Sequence, residues 1–122
     1  MLRKVLLVED HDNARRLIGN FLSDEFEVIG AKNGLEAMTW LSNGLSPDVI
    51  VTDNHMPEMD GDHLIRQLRC TGMWSDIPVV VLGDAENSNQ MSNHFTNLGA
   101  CAFFIKPFSP LVLRDKLHQL FT

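Results

Sequence analysis

Four short apolar runs punctuate the chain: Val5-Leu6-Leu7-Val8, Val49-Ile50-Val51, Ile77 to Leu82, and Ala102 to Ile105. A strand that is apolar at every position has no face to give to water, so it must be covered on both sides. Parallel sheets meet that demand, because their crossover connections lay helices over both faces. The segments between the runs have the right periodicity. Ala14, Leu17, Ile18, Phe21 and Leu22 keep helical spacing, as do Leu35, Met38 and Leu41 in the next segment. Leu64, Ile65 and Leu68 follow, then Met91, Phe95 and Leu98, then Leu113, Leu117 and Leu120. A further strand-like stretch, Phe26 to Ile29, lies after the first helix. The chain reads as five β-α units in sequence, a parallel sheet sandwiched by helices with right-handed crossovers. Its 122 residues suit one compact domain, 1–122.

Helix ends carry local signals. Asn33, with Glu36 three residues on, resembles a capping box. Asp12 reads as the N-cap of the first helix and Asp60 as that of the third. Gly99 stops the fourth helix, and Ser109-Pro110 starts the fifth with proline at its first position. The fourth segment, "AENSNQMSNHFTNLG", is crowded with Asn and Ser, which favour caps and turns over helix interiors, so it is expected to be the least stable helix.

Composition narrows the function classes. A net charge of -6 argues against a direct nucleic-acid partner, since phosphate contacts want clustered Lys and Arg. No apolar stretch is long enough to span a membrane, and the run after Arg3-Lys4 is too short for a secretion signal. Cys70 and Cys101 make neither a zinc site nor a disulfide framework; they are expected to be buried or half-buried thiols in a reducing cytosol. Met56, Met59 and Met73 are expected to fill gaps in the packing. His11, His63, His94 and His118 are expected at the surface.

In a parallel sheet all C-terminal strand ends lie on one edge, where ligand sites form. Glu9 and Asp10 follow the first strand, Asp53 the third, Gly83 and Asp84 the fourth, and Lys106-Pro107 the fifth. Three close carboxylates repel one another, and burial raises their pKa values. A lysine and a hard divalent cation such as Mg²⁺ would keep them ionised. Such a site invites phosphoryl transfer to a carboxylate.

"VEDHD", "VTDNHMPEMDG" and "IKPF" at this spacing resemble the receiver domain of two-component response regulators, of the chemotaxis-regulator type, over Lys4 to about Phe121. The resemblance implies a flavodoxin-like, doubly wound sandwich with strand order 2-1-3-4-5. It makes Asp53 the phospho-acceptor, fed by a sensor histidine kinase, a phosphotransfer protein or a small phosphodonor. Asp10, Glu9 through water, Asp53 and the backbone carbonyl of His55 would hold Mg²⁺, and Lys106 would pair with the phosphoryl oxygens. The Lys106-Pro107 bond would be cis, and His55 would reach over the site. It further implies a bacterial, cytoplasmic signalling protein rather than an enzyme, with a downstream protein bound on the face of the fourth helix, fifth strand and last helix. The sequence carries no effector after Thr122, which suits a stand-alone receiver and a piece of a longer chain alike.

The pattern breaks at Gly83. Receivers usually carry Ser or Thr there, whose hydroxyl bonds the phosphoryl group and draws the loop inward, making room for an aromatic that Phe103 matches. Asp84 replaces a small residue and adds negative charge beside the site. The expectation is atypical switching. The alternative is a non-switching receiver that serves as a protein-interaction module. Two other classes fit poorly. Asp10-x-Asp12 faintly resembles haloacid dehalogenase phosphatases, which want Thr or Val where Ala14 stands, and no Ser/Thr-rich phosphate loop follows the first strand as in a flavodoxin electron carrier.

Overall fold

The structure, a computed structural model, describes residues 2–86 and 88–122. Strands β1 (Arg3–Val8), β2 (Phe26–Ala31), β3 (Val49–Asp53), β4 (Val79–Gly83) and β5 (Ala102–Ile105) alternate with helices α1 (Asp12–Leu22), α2 (Gly34–Ser42), α3 (Gly61–Arg69), α4 (Ser88–Asn97) and α5 (Pro110–Gln119). All strands pair in parallel, in the order β2-β1-β3-β4-β5. This is the expected doubly wound, flavodoxin-like sandwich.

Successive strand residues point to opposite faces, and each face has its own core. Leu6, Val8, Ile50, Val79 and Val81 pack under Ala37, Leu41, Leu64, Ile65, Leu68 and Phe95, which belong to α2, α3 and α4. Val5, Leu7, Val49, Val51, Val80 and Leu82 pack under Leu22, Leu113 and Leu117, which belong to α1 and α5. The central strands β3 and β4 are buried throughout. β5 departs from the expectation of cover on both faces: it is an edge strand, half-buried, with Ile105 exposed.

Asn33 and Asp60 cap α2 and α3 as expected, accepting from the N–H groups of Glu36 at 2.8 Å and His63 at 2.9 Å. Glu36 reaches back to the Lys32 N–H at 3.2 Å, one residue short of a closed capping box. Asp12 is not the cap of α1. His11 takes that position in extended conformation, without a side-chain bond to the helix, and the Asp12 carboxylate pairs with Arg15 at 2.6 Å. Ser109 precedes Pro110 at the start of α5, also without a side-chain cap bond. Gly99, after α4, has a φ of 99°, which glycine adopts freely.

Several residues lie further out than expected. Leu17 and Leu35 sit on the solvent side of their helices. Met73 is 81% exposed, whereas Met59 is buried and Met56 packs against the core. Cys70 and Cys101 are exposed. Both follow the ends of buried segments, where the chain has already turned out of the core.

Asp60→Ala should lower the unfolding free energy by about 1 kcal/mol through loss of the cap. Leu64→Ala, on the same helix, should lower it by about 2–5 kcal/mol. Urea titrations with unchanged slope would check both.

Candidate functional site

The parallel register brings the strand ends level. Val8 lies opposite Thr52, Asp53 opposite Leu82, and Gly83 opposite Ile105. The ladder continues past the strands: the N–H groups of Glu9, Asn54 and Lys106 donate to the carbonyls of Ala31, Leu82 and Gly83 at 2.9, 2.9 and 2.7 Å. Glu9, Asp53 and Lys106 are thereby held by backbone hydrogen bonds on one edge. Behind them α3 packs closely on β3. A Cβ on Gly61 would lie 2.8 Å from the Asp53 carbonyl oxygen, so only glycine permits this approach.

Lys106 Nζ donates to Asp53 Oδ2 at 2.9 Å and to Glu9 Oε2 at 3.2 Å. The Glu9 side chain has no exposed surface. Its other oxygen, Oε1, accepts from the His11 backbone N–H at 3.2 Å and lies 3.1 Å from His11 Nδ1. Burial pushes the Glu9 carboxyl up, but the His11 N–H and Lys106 outweigh it, and its pKa is lowered. Burial also dominates at Asp53, where Lys106 offsets it only in part and the nearby Glu9 adds to it, so the pKa is raised. Burial pulls Lys106 down, yet its hydrogen bond and attraction to Asp53, with Glu9, leave it raised. Of the three, Asp53 is the group whose charge the fold disfavours.

Glu9, Asp10, His11 and Asp53 each offer one ligand atom, all within 4.8 Å of one another. Asp10 Oδ1 is buried and has no hydrogen-bond partner among the described residues; His11 Nδ1 lies 3.3 Å from it. A buried carboxylate oxygen without a donor is costly unless a cation meets it. The residues therefore fit a divalent ion, and their carboxylates suit Mg²⁺.

Around this group lies a cleft lined by Asp10, His11, His55, Met56, Pro57 and Asp60. His55 is exposed, with Nε2 3.6 Å from Asp84 Oδ2. Asp84 is itself 64% exposed, so its charge is solvated. The Lys106-Pro107 peptide bond is cis. At Gly83 a Cβ would stand 2.5 Å from Phe103 Cζ. The Phe103 ring fills the space a side chain would need there, and it stacks on Phe95 of α4 with centroids 6.0 Å apart.

The sequence reading brought Glu9, Asp10, Asp53 and Lys106 together, and so does the structure. It missed Gly61 and treated His11 as a surface histidine. His11 is exposed, but its Nδ1 belongs to the acidic group. The signal for it was its place directly after Glu9-Asp10, in the tight turn into α1. His94 pairs with Asp62 on α3 and His118 with Glu25, while His63 is exposed.

The response regulator receiver domain family matches residues 5–118. The chain belongs to that family. This receiver domain is 32% identical to a chemotaxis protein CheY homolog of Campylobacter jejuni, over 96% of its own length and 91% of the relative's. It is 34% identical to a segment of hybrid signal transduction histidine kinase D of Dictyostelium discoideum, covering 97% of the receiver domain and 8% of the kinase. Its fold superposes on chemotaxis response regulator CheY4 of Vibrio cholerae with a TM-score of 0.87 and 29% identity, over 98% of this chain and 99% of that one. No helix among the described residues is long and apolar enough to cross a membrane.

The raised pKa of Asp53 sets a testable pH dependence. An acid that ionises less readily folded than unfolded costs stability above its unfolded pKa, here 3.8, and costs none below it. Asp53→Asn in metal-free buffer should therefore be more stable than wild type at neutral pH. The gain should disappear as the pH falls below about 3.8. Thermal unfolding across that range, with chelator present, measures it.

Proposed function

We propose that this receiver domain takes a phosphoryl group on Asp53 from the phosphohistidine of a sensor kinase or phosphotransfer protein. The observation that carries the reading is Lys106 Nζ shared between Asp53 and Glu9, beside the unpartnered buried oxygen of Asp10. An Asp53 oxygen attacks phosphorus in line. The P–O bond forms as the P–N bond of the donor breaks, and the leaving imidazole keeps the electron pair and takes a proton. Lys106, already bonded to Oδ2, is within reach of the incoming phosphoryl oxygens. Asp10, Glu9, Asp53 and the His55 backbone carbonyl would hold Mg²⁺, which when bound neutralises charge on the transferring group. The family is one of signalling domains and not of turnover enzymes; loss of the phosphoryl group to water would be self-catalysed.

The output surface in this reading is the α4-β5-α5 face. Ile105 of β5 and Leu111 and Val112 of α5 are exposed, apolar surface suited to a downstream protein. Phe103 bears on how that face is switched. With no side chain on Gly83, its ring already occupies the notch beside the site, which supports a readout that does not rest on a hydroxyl at position 83. The same observation favours a second reading, a receiver fixed in one conformation that acts as an interaction module.

Incubation with Mg²⁺ and acetyl phosphate should add one phosphoryl group to the intact mass, absent in Asp53→Asn and absent without the ion. No gain from a folded protein, with a competent receiver reacting alongside and a histidine kinase also tried, would favour the module. Gly83→Thr should displace the Phe103 ring and cost about 1–3 kcal/mol, and Phe103→Leu in the same chain should recover part of that loss. Chemical unfolding of the two single variants and the pair would show it.

A further inference from the structure

His11 is the one member of the acidic group whose donor is a nitrogen. Its Nδ1 lies 3.1 Å from Glu9 Oε1 and 3.3 Å from Asp10 Oδ1. On bonds of about 2.1 Å, neighbouring ligands of an octahedral ion stand roughly 3.0 Å apart and opposite ones roughly 4.2 Å. The two short separations are those of adjacent ligands, and the widest pair of the group, within 4.8 Å, needs only a small inward movement to span the ion. The side chain is 74% exposed.

We propose that His11 Nδ1 is a direct ligand of the cation in this pocket and turns the site's preference from Mg²⁺ toward first-row transition ions. The inference rests on the reading of the pocket as a divalent-cation site. All-oxygen sites suit Mg²⁺, whereas imidazole adds most to the binding of later ions such as Co²⁺ and Zn²⁺. Coordination needs Nδ1 free of hydrogen, which the neutral tautomer with its hydrogen on Nε2 provides. The hydrogen bond that Nδ1 makes to Glu9 in the metal-free protein is then replaced by the bond to the ion, and Glu9 Oε1 keeps the His11 backbone N–H.

Equilibrium dialysis of the full chain against Co²⁺ and against Mg²⁺ tests this, with His11→Gln, His55→Gln, His63→Gln and Asp10→Asn alongside. The ratio of Co²⁺ to Mg²⁺ affinity should fall by about ten-fold or more in His11→Gln and hold in His63→Gln, an exposed histidine outside the pocket. Proton NMR of the Co²⁺-loaded protein should show one strongly shifted, exchangeable imidazole N–H, lost in His11→Gln and kept in His55→Gln. An unchanged ratio, or a shifted signal that follows His55, overturns the assignment; a histidine that only hydrogen-bonds Glu9 would give that result. Cation binding that is absent in wild type, or indifferent to Asp10→Asn, removes the pocket itself and the His11 assignment with it.

Discussion

One ammonium group lies between two carboxylates that the fold has taken out of water. Without Lys106, burial and mutual repulsion would drive Asp53 or Glu9 to give up its charge. With it, Glu9 is held ionised, while the charge on Asp53 remains disfavoured. The site is thus left short of positive charge at one carboxylate and at one buried oxygen of Asp10. A cation and a phosphoryl group, which bring charge and ligand oxygens together, are the chemical complement of that deficit.

The sheet makes this arrangement possible. Parallel pairing puts every C-terminal strand end on one edge, and the backbone ladder runs one residue beyond the strands to fix Glu9, Asn54 and Lys106. The residues are distant in sequence, yet their separation is set by strand spacing and register, both of which the backbone enforces. The close seat of α3 on β3, allowed by Gly61, secures Asp53 from behind.

Much of this was legible in the sequence. Apolar runs such as Val79 to Leu82 point to strands covered on both faces, as β3 and β4 are, and their number and order imply the sheet. The acidic and basic residues at the run ends then converge by topology alone. What escaped the reading depends on distances shorter than an element. Asp12 looks like a cap until Arg15, one turn on, takes its carboxylate. Leu17 fits the helical period of its neighbours, but α1 turns it toward solvent while Ile18, Phe21 and Leu22 pack inward. His11 is exposed like many surface histidines, and only the turn after β1 shows that Nδ1 faces Glu9 and Asp10. The fit of Phe103 over Gly83 is likewise a matter of ring position, which residue types do not specify.

The sheet also works as a partition. Odd and even residues of each central strand serve separate cores, one shared with α2, α3 and α4 and the other with α1 and α5. Among the described residues no buried side chain belongs to both cores. At the β5 edge the two layers come to the surface together, with α4 flanking one face and α5 the other. A protein lying along that edge would touch both layers at once, and so would meet the two halves of the domain as a single surface.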